Sequence, residues 1–234
     1  MFFYFQIRTK EHFIDYVFEK LEIEKGELDD YCSNEDILAE QYGLNSENFM
    51  TLIVPATYEV NWTTHINDLF SLLEKSYDEV WTKAKKEKVK SLGYNIPEIV
   101  TLASIVQSES GIKTEQQKIA GVYINRLKQD MRLQADPTVV FANGDFDVQR
   151  VLSADKEIDS PYNTYRYKGL PPGPICLVNP SVIDAVLNYT KHNYTYFCAK
   201  ADFSGYSNFT NDYKVHMKNA AAYQEALNKK GIKR

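Results

Sequence analysis

Residues 103–111 read ASIVQSESG, and Glu109 within that run is the side chain whose type and place most suggest chemistry. The run belongs to a predicted helix with marked ends. Asn95 can cap it, Pro97 sits in its first turn, Glu98 favours its positive end and Gly111 can end it. At about 100° per residue with Ile99 as zero, Leu102, Ala103, Ile105 and Val106 share an apolar arc, while Thr101, Ser104 and Ser108 fall opposite. Glu109 falls at about 280°, inside the arc. Desolvation and the negative end of the helix dipole both disfavour an anion there, so its pKa is expected to rise. A carboxylic acid that keeps its proton near neutral pH can protonate a leaving oxygen, as glycosidic cleavage requires. The same placement also fits a glutamate at the rim of the stripe, paired or reaching water, and helical geometry alone leaves both readings open.

The elements that must position this residue come from a chain of 234 residues, 44% hydrophobic, long enough for one generous domain or two small ones. A net charge of −5 offers no global basic field for phosphates, and the lysines of KAKKEKVK (83–90) alternate with apolar residues as on a solvated helix face, so nucleic acid is excluded as a partner. Cys32, Cys176 and Cys198 are far apart, with neither a CxxC pair nor a nearby histidine at metal spacing, so neither a disulfide framework nor a metal site is expected. No cofactor motif is present. The opening MFFYFQIR is too short and too soon charged for a signal peptide or a membrane span.

Periodicity predicts a helix over 9–21, carrying Phe13, Val17, Phe18 and Leu21, and another in SNEDILAEQYG with Ser33 as cap and Gly43 as terminator. FMTLIVPATYEVNW (49–62) reads as β-like, and 64 to about 90 as one long helix on Leu69, Leu73, Tyr77, Val80 and Trp81. TEQQ (114–117) matches a capping box opening a helix over KIAGVYINRLKQ. Asp136, before Pro137, is best explained as a helix cap, and Arg126 and Arg132 are open between pairing with Asp136 and meeting substrate carboxylates. There is no internal repeat.

The order of motifs resembles the endolytic murein transglycosylases of the MltG, or YceG-like, family. The residues that carry the resemblance are ASIV ending in Glu109–Ser110, INRL, RLQADPTV, YNTY, GLPPGPI followed by NP, and Phe209 and His216 at their late spacing. The strong matches run from Ile99 to Pro180, with weaker agreement at RTKE, VPATYE and GYSNF. The resemblance implies a bacterial enzyme that cuts the β-1,4 bond from N-acetylmuramic acid to N-acetylglucosamine in peptidoglycan strands without water. One carboxyl protonates the glycosidic oxygen and then takes the proton of the muramoyl C6 hydroxyl as it attacks C1, leaving a 1,6-anhydro end. Glu109 matches that catalytic position. Gln134, Tyr162, Asn163 and Thr164, with Gln107 and Glu59, are the expected substrate-binding residues, offering hydrogen bonds and aromatic faces to sugar rings. GLPPGPI reads either as a rigid turn that brings backbone close to a ligand or as a plain structural turn.

The resemblance further implies an extracytoplasmic location at the inner membrane, with cell-wall synthesis machinery as partner. The family's N-terminal transmembrane helix and LysM-like domain are not seen in these 234 residues, so any membrane contact is expected through a segment outside them. Three positions depart from the family pattern. Gln107 stands where another Glu is usual, Ser207 where His is common, and Ala56 where Asn or Asp is usual. Loss of a like charge at 107 removes one influence that would raise the pKa of a neighbouring acid. The expected fold is α+β: a single catalytic unit over 1–234, helical through 1–90, with a motif-bearing mixed core in 91–234 around a lysozyme-like active-site helix. Two other functions remain open on these residues: a glycan-binding module without turnover, and a hydrolytic muramidase whose water-activating acid is Asp136 or Glu59.

Overall fold

The computed structural model describes residues 7–148 and 150–231; most of the MFFYFQIR segment lies outside them. The chain divides into two compact units, the first formed by 1–104 with 172–183 and the second by 105–171 with 184–234. Among the described residues helices dominate, with one two-stranded sheet. The mixed architecture is α+β.

In the first unit, α1 (Lys10–Phe18), α2 (Lys25–Ser33), the short α3 (Glu35–Ile37) with a π turn over Leu38–Tyr42, α4 (Ile66–Val80) and α5 (Lys83–Leu92) surround one apolar core. Phe13, Phe49 and Phe70 meet at its centre, with ring centroids 5.7 Å and 6.1 Å apart along the series. Asn34, not Ser33, caps α3 by accepting from the Ile37 N–H at 3.0 Å, while Ser33 closes α2, which periodicity did not reveal. The segment read as β-like forms a 3-10 turn at Phe49–Leu52 and a single bridge residue at Thr57. Its apolar run is used for burial, and the Tyr58 hydroxyl donates to the Val54 carbonyl at 2.8 Å, a local bond that curls the chain instead of extending it. The long helix expected over 64–90 is two. Trp81, only 2% exposed, leaves helical geometry at ψ 61°, and the Thr82 side chain caps a new helix at the Lys85 N–H.

The GLPPGPI turn enters this first unit. Ile175 N–H donates to Ser104 Oγ at 3.0 Å and Leu177 N–H to the Ile7 carbonyl at 3.1 Å. At Gly173 an added Cβ would lie 2.0 Å from the Glu47 carbonyl oxygen, so the glycine admits the protein's own backbone. Gly173→Ala should therefore destabilise the protein by about 1–3 kcal/mol through overpacking, read as a lowered urea midpoint.

Helix α6 (Ile96–Glu109) crosses from the first unit into the second, which adds α7 (Lys113–Lys128), α8 (Asp136–Asn143), the end of α9 (Pro180–Leu187), strands β1 (Tyr196–Ala199) and β2 (Ser207–Thr210), and α10 (Tyr213–Lys229). The strands pair antiparallel, with Tyr196 opposite Thr210 and Phe197 opposite Phe209, and α10 packs on both. TEQQ is no capping box: α7 begins at Lys113, and Gln116 instead donates from Nε2 to the Ser110 carbonyl at 2.8 Å, bracing the short turn between α6 and α7. On α7, Gly121 lets the chain at Thr190 pass close, since a Cβ would come within 2.5 Å of the Thr190 carbonyl. His192 follows, with Nε2 2.9 Å from the Lys118 carbonyl oxygen and Nδ1 3.1 Å from the Tyr194 N–H.

Candidate active site

The start of α6 is set by a reciprocal pair: Asn95 Oδ1 accepts from the Glu98 N–H at 2.8 Å and Glu98 Oε2 accepts from the Asn95 N–H at 2.7 Å. Fourteen residues later the helix ends on Glu109 itself; Gly111 follows without a left-handed φ. The arc from Ile99 to Val106 is buried, but so are Thr101 and Ser104 of the face read as polar, so this stretch of α6 is enclosed on both faces and only Ser108 of that face is exposed. Glu109 is partly exposed as a residue. Its carboxyl is nonetheless packed deeply enough that burial lifts its pKa from the ordinary 4.5 to about 7.

The group that meets Glu109 is Tyr123, one of the largest fully buried side chains, whose hydroxyl donates to Glu109 Oε1 at 2.7 Å. That bond and the Arg126 charge pull the Glu109 pKa down, while the charge of Asp136 pushes it up. Burial first, and then the neighbouring carboxylate, hold the Tyr123 proton in place by raising its pKa well above the usual phenol range. Phe197 of β1 closes edge-on against the Tyr123 ring at 5.7 Å.

Arg126 lies one turn along α7, on the face that carries Tyr123. It is buried and bonds carbonyl oxygens: Nε to Thr195 at 2.6 Å, Nη1 to Leu133 at 2.7 Å and Arg132 at 3.2 Å, and Nη1 also to the Gln134 side chain at 3.3 Å. Its guanidinium stacks over Tyr196 at 5.3 Å. Arg126 is thus a staple between α7, the irregular segment before α8 and the stretch leading into the hairpin. Arg132 is exposed.

Of the expected sugar ligands, Gln134 is exposed and held at φ +51°, a left-handed conformation uncommon for a residue with a side chain. Tyr162 is half-buried and packs on Phe141 at 4.6 Å. Asn163 and Thr164 are buried with their polar atoms turned inward. Asn163 Nδ2 donates to the Lys156 and Ile158 carbonyls at 2.9 and 2.8 Å, and its Oδ1 accepts from the Tyr165 N–H at 3.0 Å. Thr164 Oγ1 accepts from the Ala135 N–H at 3.0 Å and shares a 2.8 Å bond with Thr138 Oγ1. Gln107 is half-buried on α6, and Glu59 is exposed in the first unit.

The reading of Asp136 as a cap needs correction. Ala135 is the cap position of α8 and Asp136 the first helical residue, with no side-chain bond to the helix end. Its Oδ1 accepts from the Tyr165 hydroxyl at 2.6 Å and faces Lys156 Nζ at 3.3 Å, while Lys156 also reaches the Tyr165 hydroxyl at 3.0 Å. Tyr165 belongs to the YNTY motif and was open between a groove wall and packing; Tyr123 and Lys156 were not legible as site residues. The available signal was a tyrosine inside the apolar stripe of α7, since a buried hydroxyl requires a polar partner.

A family model described as the YceG-like family matches residues 5–222. The chain belongs to the YceG-like family. An endolytic murein transglycosylase of Bacillus subtilis (strain 168) is 40% identical over 183 residues, covering 76% of this chain and 49% of that protein. One from Streptococcus pneumoniae serotype 2 (strain D39 / NCTC 7466) is 34% identical over 176 residues, covering 73% and 31%. The YceG-like chain therefore spans half or less of the length of these curated relatives. A crystal structure of a yceG-like protein from Listeria monocytogenes matches with a TM-score of 0.72 at 27% identity, over 91% of this chain and 73% of that one.

The late YceG-like positions also fall in the second unit. Phe209 stacks on Phe197 at 6.0 Å, and His216 stacks on Tyr196 at 5.1 Å, with burial and then the Arg126 charge lowering its pKa. At the departure Ser207, the backbone N–H donates to buried Glu115 at 2.7 Å, so this tie from hairpin to α7 does not depend on the side chain at 207. Ala56 packs, half-buried, against the core of the first unit. Among the described residues no group of three or more His, Cys, Asp or Glu is placed to hold a metal ion, and no helix is long and apolar enough to cross a membrane.

Proposed function

We propose that this chain is the catalytic region of an endolytic lytic transglycosylase acting on peptidoglycan glycan strands, with Glu109 as its acid/base. The observation that carries the reading is a carboxyl at the end of α6, lifted to about 7 by burial and oriented by Tyr123 at 2.7 Å, in a YceG-like chain. Near neutral pH such a group is divided between its two forms, so it can give a proton and take one back within a single turnover.

In the proposed step Glu109 protonates the oxygen of the β-1,4 bond from N-acetylmuramic acid to N-acetylglucosamine. The C1–O bond breaks with its electron pair leaving on that oxygen. The muramoyl C6 hydroxyl oxygen then bonds to C1, and its proton returns to Glu109. No water enters, the product end is 1,6-anhydro, and one carboxyl serves both proton transfers, unlike the paired carboxylates of hydrolytic glycosidases. The Tyr123 hydroxyl keeps Oε1 in place through both transfers. Exposed Gln134 and half-buried Tyr162 and Gln107 are the expected strand contacts. Asn163 and Thr164 serve the strand indirectly, by holding the loop and the start of α8.

A peptidoglycan substrate implies an extracytoplasmic site of action, with attachment to the inner membrane and contact with cell-wall synthesis machinery as further expectations of this reading. Incubating the purified chain with isolated peptidoglycan should release shortened soluble strands; a folded protein that binds glycan and releases none would overturn the proposal in favour of a binding module. Gln107→Glu, which restores the acid usual at that position, should change rate or pH dependence modestly and leave the product unchanged. If wild type is inert and this change alone starts cleavage, a single-carboxyl mechanism is wrong.

A further inference from the structure

Arg126 is a buried cation without a counter-ion. It is 6% exposed, and every bond it makes goes to a neutral oxygen: Nε to the Thr195 carbonyl at 2.6 Å, and Nη1 to the Leu133 carbonyl, the Arg132 carbonyl and Gln134 Oε1 at 2.7, 3.2 and 3.3 Å. Among the described residues no carboxylate is ion-paired with it. The acids of the surrounding elements are engaged elsewhere. Glu109 accepts from Tyr123, Asp136 is paired with Lys156 and accepts from Tyr165, and Glu115 accepts from the Ser207 N–H. This closes the alternative in which Arg126 pairs with Asp136. A buried charge is ordinarily paired, because neutral acceptors only partly offset the cost of its desolvation.

The guanidinium also keeps one corner unused. Of its five N–H donors, those on Nε and Nη1 are committed, and the pair on Nη2 has no partner among the described residues. The enclosed side-chain nitrogens and oxygens that lack a partner are Thr51 Oγ1 and His216 Nδ1, so Nη2 is open to the surface instead of sealed in. Gln134 stands beside it. Because a guanidinium offers only donors, the 3.3 Å contact fixes which end of the Gln134 amide is oxygen. Its Nε2 is left with two N–H groups and no partner among the described residues. Gln134 is exposed and sits at φ +51°, with its N–H on the Thr164 carbonyl at 3.1 Å. Glycine holds that conformation at less cost, so a glutamine there is explained by its amide and not by the turn.

A cationic donor and a neutral donor side by side, both unsatisfied, match a carboxylate, whose two oxygens can each take one of them. The sugar rings of a peptidoglycan strand are neutral. Its carboxylates lie on the muramoyl side chain, either as the lactyl group itself or on a stem peptide attached to it. We propose that Arg126 Nη2 and Gln134 Nε2 form a binding site for that carboxylate, so that the protein reads the muramoyl side chain as well as the sugar backbone. The inference rests on the transglycosylase reading above and deepens it by naming a substrate group. Arg126 follows Tyr123, the partner of Glu109, three residues along α7, a spacing of about 5–6 Å between Cβ atoms, so the site borders the acid/base. Both residues bind and neither moves a proton, so the bond changes of the reaction are those already written.

The test compares kcat and KM on three soluble substrates: strands bearing stem peptides, the same strands with their carboxylates converted to amides, and strands trimmed by an amidase to the lactyl carboxylate. On the amidated strands wild type should show a KM about tenfold higher, the worth of one hydrogen bond to a charged group, with kcat little changed. On trimmed strands a KM like that of the full strands assigns the lactyl carboxylate, and one like that of the amidated strands assigns the stem peptide. Arg126→Ala removes the staple that holds the fold, so the variants are Gln134→Glu and Gln134→Gly. Gln134→Glu offers Arg126 an internal carboxylate in place of the amide oxygen. Its thermal stability should hold or rise while the preference for carboxylate-bearing strands collapses; because the preference is a ratio within one variant, any general effect of the new charge on Glu109 cancels. Gln134→Gly suits φ +51° and should keep the fold and lose part of the preference. Equal KM of wild type on full and amidated strands would overturn the proposal, as would a stable Gln134→Glu that keeps the whole preference. Binding is read separately from the nitrogen NMR signals of the Arg126 guanidinium, titrated with N-acetylmuramic acid, with muramoyl dipeptide and, as neutral control, with N-acetylglucosamine. If no strand is cleaved but these signals move with the acids alone, the reaction assignment fails and the carboxylate site stands; if strands are cleaved and the signals answer the neutral sugar equally, the site fails alone.

Discussion

Glu109→Gln should give a folded protein whose strand cleavage is reduced by about a thousandfold or more, near the upper range for loss of a general acid, here compounded by loss of the returning base. Glutamine preserves shape and can still accept from the Tyr123 hydroxyl, so the loss should appear in kcat with glycan binding retained. The same variant carries a stability signature. The folded pKa of about 7 lies above the ordinary 4.5, so the unfolded chain binds fewer protons between these values. Glu109 therefore favours folding fully below about pH 4.5, and that contribution is lost as pH rises through about 7. A rise of this size corresponds to roughly 3 kcal/mol at neutral pH and above. Glu109→Gln should accordingly be as stable as wild type or more so at pH 7, with the difference closing in mild acid, as read from urea unfolding at both pH values. A variant clearly less stable at pH 7 would mean that the ionised carboxylate is structural.

Arg126→Ala should be among the most destabilising single changes in the second unit, by about 3–5 kcal/mol, because it strips buried groups of a charged donor. The Thr195, Leu133 and Arg132 carbonyls would lose their partner together, and the Tyr196 ring its stacked cation. Arg126→Lys should recover little, since a single ammonium cannot span acceptors that the guanidinium fork reaches at once. Thermal unfolding in a buffer series checks the size, and retained wild-type stability in Arg126→Ala would show that the staple is dispensable.

What the residues disclosed before folding was largely what local physics encodes. The α6 helix and its Asn95 and Glu98 cap follow from spacing within one element, and their reading held, while the polar face at Thr101 and Ser104 is buried with the apolar arc because neighbouring segments cover both sides. Readings across a break did not. The 64–90 helix looks continuous because the stripe of α4 runs straight into Trp81, and only burial of that indole shows why the chain turns there. The TEQQ box was lost to a competitor, the bond from Gln116 back to Ser110, which spacing inside α7 cannot show. At the site the same boundary applies. Glu109 was legible, because an acid on an apolar arc is a local contradiction. Tyr123 reads as one more core aromatic until its hydroxyl is seen on a carboxylate fourteen residues earlier. Asp136 before Pro137 fits capping so well that its bonds to Tyr165 and Lys156, brought in from a loop more than twenty-five residues away in the case of Tyr165, could not be anticipated. Asn163 and Thr164, chosen for their polar chemistry, turn that chemistry inward to hold the loop.

The central claim is that Glu109 runs a cleavage in which the sugar's own C6 hydroxyl replaces water. The measurement that meets it most directly is mass spectrometry of strands released from peptidoglycan by the wild-type chain in water enriched in heavy oxygen. Transglycosylation predicts 1,6-anhydro muramoyl ends that carry no heavy oxygen, absent from digests with Glu109→Gln. Reducing ends that carry the solvent's oxygen would contradict it and make the protein a hydrolase.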